Sequence, residues 1–260
     1  MKRIANLLLV LLISGITIFA QNAEMNNEAK KLFNEGNKLL KSGDYNGAIQ
    51  KYDDALKVAE DYRILYQKSI ALKKLRKYND AETVLKRCIE LNPDFANAYN
   101  GLGTTYYALK KYQLAVDNFE KFAEKTTNKK LKKRAKKYIS IAYTKLAEDV
   151  KKKHKTKEAI EYLKKAVEAY NYDAAYLLMA ELYNDTGEYQ NALDAANNAL
   201  KYRGKKSRIS KGAVNYYKGL ALKGLGKKAE AKKAFELALK DRQYKQNAKY
   251  ELELIKKGLW

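Results

Sequence analysis

The stretch Tyr99-Asn-Gly-Leu102-Gly103-Thr-Thr-Tyr106, followed by Ala115-x-x-x-Phe119, decides how this chain folds. Tyr99, Leu102, Gly103 and Tyr106 fall three or four residues apart, the spacing that gathers side chains on one face of a helix. Gly103 and Ala115 would let two antiparallel helices approach closely. The pattern recurs outward in both directions. Small residues stand at Gly36, Ser69, Gly103, Ala147, Ala180 and Gly219, and alanines follow twelve residues later at Ala48, Ala81, Ala115, Ala159, Ala192 and Ala231. Both series step by 33, 34, 44, 33 and 39 residues. Ala48-x-x-x-Tyr52 and Ala231-x-x-x-Phe235 repeat the second half of the motif. Short breaks such as Lys41-Ser42-Gly43-Asp44-Tyr45 and Asn184 to Tyr189 separate the two helical stretches of a unit. A period near 34 built from two helices is the mark of a stacked repeat.

This pattern resembles the tetratricopeptide repeat family over about residues 29–243, with Tyr99 where the family prefers Trp and Pro93 at its closing proline. The resemblance implies an all-α, right-handed α-solenoid of about six helix-turn-helix repeats. The units are expected at 29–61, 62–95, 96–129, 130–172 (a lengthened basic helix plus a degenerate repeat), 173–206 and 207–243 (a basic loop plus a repeat). Residues 244–260 are expected to form a C-terminal capping helix, because Tyr244, Ala248, Leu252, Ile255 and Leu259 make one apolar stripe.

The resemblance also implies a concave groove, lined by the first helix of each repeat, that accepts a protein or peptide. On that register the inward positions are Asn37, Tyr66, Lys73, Lys74, Asn97, Asn100, Thr104 and Tyr107. An Asn amide both donates and accepts, so it can hold an extended backbone whatever its sequence. Repeats that clamp the C-terminal carboxylates of cytosolic chaperones use a Lys/Asn/Asn/Lys/Arg set. The matching positions here are Phe33, Asn37, Gln67, Asn97 and Gly101, which keep only Asn37. That function is not expected.

Composition narrows the chemistry further. Among 260 residues there is one Cys, one His and one Pro, and 46% are hydrophobic, which excludes wholesale disorder. A lone Cys88 cannot form an intramolecular disulfide, and it reads as a buried, inert thiol. His154, between two lysines, reads as an exposed turn residue. With no second His, no usable Cys and no phosphate-binding glycine loop, no catalytic residue, metal site or cofactor is expected. Tyr45, Tyr78, Tyr112 and Tyr189 recur just after the breaks and read as packing elements rather than base-stacking platforms, so no nucleic-acid partner is expected.

Met1-Lys2-Arg3 precedes an uncharged run from Ile4 to Ala23 centred on Leu7 to Ile13. That order of basic, apolar and small residues reads as a signal peptide over 1–20, cleaved after Ala20. Export, to a bacterial periplasm first of all, is expected, leaving no transmembrane segment. An uncleaved membrane anchor and secretion are the alternatives.

Charge is distributed unevenly. The chain carries a net +23, yet residues 28–61 hold 6 basic against 7 acidic residues, and 158–200 hold 2 against 8. Residues 125–157 hold 14 against 2, and 201–228 hold 10 against none. The ten residues added near 130–139 keep helical phase through Leu131, Ala135 and Ile139. Their outer circumference is Lys129, Lys130, Lys132, Lys133, Arg134, Lys136 and Lys137. With Arg203, Lys205, Lys206 and Arg208 these form the candidate patch for an anionic envelope surface, lipid or wall polymer. The function expected is that of a non-catalytic adaptor, with envelope-surface binding as the alternative.

Overall fold

The computed structural model describes residues 24–259. The expected leader and its cleavage point, and Trp260, lie outside the described residues. Among the described residues there are thirteen α-helices and no strand. They fall into two compact units, which meet in the chain at Thr127 and Asn128.

The first unit contains three helical hairpins: α1 (Asn27–Ser42) with α2 (Tyr45–Val58), α3 (Tyr62–Lys74) with α4 (Tyr78–Leu91), and α5 (Ala96–Ala108) with α6 (Tyr112–Lys125). The second contains α7 (Lys129–Lys151) with α8 (Thr156–Ala169), α9 (Asp173–Asp185) with α10 (Tyr189–Tyr202), and α11 (Lys211–Gly224) with α12 (Lys228–Ala238); α13 (Lys245–Lys256) then packs on α12. Short polar side chains start several helices. Asn26 Oδ1 accepts from the Glu28 N–H at 2.9 Å, Asp44 from Gly47 at 2.9 Å, and Ser210 Oγ from Ala213 at 2.9 Å, each satisfying a backbone donor the helix leaves open.

One turn closes every hairpin. Gly43, Arg76, Lys110, His154, Gly187 and Gly226 all have positive φ, between 57° and 89°. The next residue's N–H reaches back to a carbonyl five residues earlier, as from Asp44 to Leu39 at 3.0 Å, Lys111 to Tyr106 at 2.9 Å and Glu188 to Tyr183 at 2.8 Å. This left-handed C-terminal motif absorbs helix-end carbonyls and reverses the chain. Glycine adopts it freely; Arg76, Lys110 and His154 adopt it against their Cβ.

Behind most of the turns the core pairs a small residue with a large one. A Cβ placed on Gly36, Gly103 or Gly219 would lie 2.6 Å from the ring of Tyr52, Phe119 or Phe235 respectively, sixteen residues on. Where the small residue is Ser69, Ala147 or Ala180, the residue sixteen on is Leu85, Leu163 or Ala196. All six of these partners are buried, as are all six alanines of the second series. Cys88 is buried among them, its Sγ 3.2 Å from the Tyr62 carbonyl, and burial pushes its thiol up to about 12.

Helix α7 has 23 residues, whereas the first helices of the other hairpins have 13 to 16. Ala135 and Ile139 are buried and Leu131 is half-buried, so the added turns keep one apolar stripe. The lengthened spacing before α11 is taken up by the 203–210 loop. There Ser207 donates to Asp173, and Ser210, the α11 cap, donates to Asp241. The Ser210 bond, with backbone N–H groups such as that of Gln243, holds Asp241 below the usual carboxylate range.

The terminal apolar stripe is shorter than expected. Ala248 and Ile255 are buried and Tyr244 and Leu252 half-buried, but Leu259 is 63% exposed. The helix ends at Lys256, and Gly258 at φ 72° turns the chain away. The expected tyrosines also lie at the edge of the packing rather than inside it. Tyr45, Tyr78 and Tyr112 are half-buried and Tyr189 is exposed, although its ring covers Gly224.

Candidate partner-binding face

Helix periodicity puts Asn97, Asn100, Thr104 and Tyr107 along one side of α5, and Tyr66 and Lys73 along the equivalent side of α3. The two helices are neighbours in the first unit, and one bond ties them on this side. Lys73 Nζ donates to Thr104 Oγ1 at 3.1 Å, while Thr104 Oγ1 donates to the Gly101 carbonyl at 2.9 Å. Lys73 is half-buried, and desolvation pulls its ammonium below the usual lysine value. One turn before Thr104 on α5, the Asn100 Oδ1 atom is buried with no hydrogen-bond partner. Asn97, a further turn fraction along, is exposed.

Aromatic packing fixes the remaining walls. Tyr66 meets Phe95 edge-on at 5.1 Å between centroids, and Phe95 also takes Tyr62 edge-on at 4.9 Å. Tyr107 packs against Tyr112 at 5.4 Å. Two expected positions do not join the set. Asn37 Oδ1 accepts the Tyr52 hydroxyl at 2.8 Å, so its carbonyl is spent on the interior of its own hairpin. Lys74 is exposed and sits about 100° around α3 from Lys73, off the shared side.

In the second unit Lys129, Lys130, Lys132, Lys133, Arg134, Lys136 and Lys137 are all exposed on α7, and none takes part in an ion pair among the described residues. The loop cations divide. Lys205, Lys206 and Arg208 are exposed, whereas Arg203 Nε donates to the Ile209 carbonyl at 2.9 Å and braces the loop. His154 is exposed at its turn. Among the described residues no three His, Cys, Asp or Glu side chains are placed to hold a metal ion, and no helix is long and apolar enough to cross a membrane.

Three family models match the chain: TPR repeat over residues 71–110, and tetratricopeptide repeat over 144–207 and again over 213–240. Together they span just over half of it and fall on both units. The chain belongs to the tetratricopeptide repeat family. Among curated proteins, it is similar to RNA polymerase II-associated protein 3 of Xenopus tropicalis, 29% identical over 196 residues, covering 72% of this chain and 29% of that protein. It is also similar to Protein STIP1 homolog of Dictyostelium discoideum, 36% identical over 106 residues, covering 40% of this chain and 18% of that protein. The chain thus spans less than a third of the length of these relatives.

Solved structures agree on the fold. MamA residues 41 to end from Desulfovibrio magneticus RS-1 gives a TM-score of 0.51 at 21% identity, covering 71% of this chain and all of that one. YrrB, described as a TPR protein with an unusual peptide-binding site, gives 0.52 at 18% identity, covering 78% and 98%.

The tetratricopeptide register exposes residues that sequence reading passed over. Lys151 Nζ lies 2.7 Å from Glu181 Oε2, and Lys223 Nζ lies 2.7 Å from Glu251 Oε2. Each lysine stands four residues after its repeat's small residue, as Lys73 does after Ser69. That shared offset is the signal that would have grouped the three lysines.

Proposed function

We propose that the protein is an exported, non-catalytic scaffold that holds a protein or peptide partner on the α3–α5 side of its first unit. The observation that carries this reading is the Asn100 Oδ1 atom, buried and without a partner. Leaving a buried carbonyl unpaired costs about 1–3 kcal/mol, so such a group is a place where a ligand N–H gains a bond. Asn97, exposed on the same side, adds a second amide with both donor and acceptor. Family membership supports the reading, as does the description of YrrB as having a peptide-binding site. Export, with a periplasmic destination, rests on the order of residues 1–20 alone.

The test is panning of the full chain against a dodecapeptide array, comparing the wild type with Asn97→Ala/Asn100→Ala. Recovered peptides should bind the variant about tenfold more weakly or worse, in line with two lost hydrogen bonds. Undiminished binding by the double variant places the partner elsewhere.

A second reading is favoured by one observation, the seven unpaired exposed cations on α7. They form a stiff, unneutralised row suited to an anionic envelope surface. Co-sedimentation with phosphatidylglycerol vesicles should weaken steeply between low and physiological salt, since exposed charges are screened beyond about 8–10 Å. It should also disappear when the six lysines become Gln. Salt-independent binding by both proteins, or none by either, removes this reading.

A further inference from the structure

Lys73, Lys151 and Lys223 occupy one position of the repeat, a helical turn beyond Ser69, Ala147 and Gly219. In all three the ammonium crosses to a later helix. Lys151 on α7 reaches Glu181 on α9, and Lys223 on α11 reaches Glu251 on α13, each at 2.7 Å. Glu251 is buried, so that pair is largely shielded from water. Glu181 is the residue directly after the small Ala180; the residue directly after the small Gly103 is Thr104.

At the α3–α5 junction, therefore, a hydroxyl stands where the equivalent junctions have a carboxylate. Thr104 Oγ1 accepts from Lys73 at 3.1 Å, and Lys73 has no carboxylate partner among the described residues. A hydroxyl returns one hydrogen bond to the ammonium but no charge. An ammonium taken partly out of water without an opposite charge is costly, and burial has already pulled Lys73 below its usual value.

Resting on the peptide-binding reading above, we propose that the Lys73–Thr104 junction is an anion subsite that receives an aspartate or glutamate side chain of the bound peptide. The carboxylate enters where Glu181 and Glu251 stand at the equivalent junctions. Asn100, one turn along α5, makes a peptide the occupant. Its unpartnered Oδ1 needs a donor, and an acidic residue in a peptide brings a carboxylate and a nearby backbone N–H together. A free carboxylate or halide anion offers Asn100 no such donor.

The test uses the full chain and fluorescein-labelled dodecapeptide pools, amidated at the C-terminus, degenerate except for a central Glu or Gln. A third pool has central Gln and a free C-terminal carboxylate. The wild type should bind the Glu pool about tenfold more tightly than the Gln pool, a reasonable effect for one charge-assisted hydrogen bond. Thr104→Glu rebuilds the internal pair seen at the other two junctions, so it should lose the Glu preference while melting no lower than the wild type. Lys73→Met should lose the preference as well, and it carries the test if Thr104→Glu melts early. Equal binding of Glu and Gln pools by the wild type overturns the subsite but leaves peptide binding standing. A Glu preference that survives both substitutions overturns it too, as does tight binding confined to the free-carboxylate pool. No binding of any pool overturns the subsite and the peptide-binding reading together.

Discussion

The α5–α6 hairpin of the first unit and the α9–α10 hairpin of the second solve the same packing problem with opposite residues. In α5–α6 the core pairs Gly103 with the ring of Phe119, while the turn forces Lys110 into φ 60°. In α9–α10 the small residue is Ala180 and the position sixteen on is Ala196, while the turn is given to Gly187 at φ 75°. One hairpin places its glycine where volume is short; the other places it where the backbone is twisted. The repeat therefore fixes the turn geometry but not the volume at this pair, since Ala180 and Ala196 together are much smaller than Gly103 and Phe119. Helix propensity, core volume and turn strain are separate terms that can be traded.

That comparison breaks most sharply at the large side chain. Phe119→Ala should cost about 3–5 kcal/mol, because a buried ring is replaced by a cavity. Ala196→Gly in the other hairpin should cost about 1 kcal/mol, chiefly helix propensity. Urea unfolding of both variants measures the gap, and comparable losses would show that the two hairpins do not partition volume differently.

The reciprocal change at the small residue gives a smaller effect with a more specific signature. Gly103→Ala sets a Cβ 2.6 Å from the Phe119 ring, so overpacking should outweigh the propensity gain and leave a net loss of about 1–2 kcal/mol. Combining it with Phe119→Leu reproduces the Ala147 and Leu163 choice of another repeat. The double variant should be more stable than the sum of its singles by about 1 kcal/mol. Additive losses in that cycle would refute the pairing of small with large.

The turns should give the smallest shifts, and of opposite sign. Lys110→Gly should raise stability by about 0.5–1 kcal/mol, since relief of left-handed strain exceeds the entropy added to the unfolded chain. Gly187→Ala should lower it by about 1 kcal/mol for the converse reason. Thermal melts resolve both, and a destabilised Lys110→Gly would mean that the lysine side chain contributes more than its backbone costs.

A fourth expectation concerns Cys88 and pH. Its thiol is held protonated to about 12 in the fold, whereas an unfolded chain ionises it earlier. The folded pKa is raised, so its contribution is fully present below the unfolded value and is lost as pH climbs toward 12. A thiol reagent at pH 9 should accordingly label Cys88 only on unfolding; rapid labelling of the native protein would contradict its burial.

Residue order alone determined the repeat and its phase. The small residues, the alanines twelve later and the aromatic positions are local in sequence, and helical periodicity converts that spacing directly into a face. The all-α class, the burial of Cys88 and the exposure of the α7 cations all follow from the same spacing. Which groups meet across helices was settled only by the tertiary structure. Nothing in the spacing distinguishes Lys73, which finds a threonine hydroxyl, from Lys151, which finds Glu181. Nor does it show that Tyr52 captures the Asn37 amide, that Arg203 turns back onto its own loop, or that Leu259 falls beyond the helix end. These outcomes depend on partners up to about thirty residues away. A shift of a few ångströms in the register between two helices makes or breaks a hydrogen bond, while leaving every apolar face where the sequence put it.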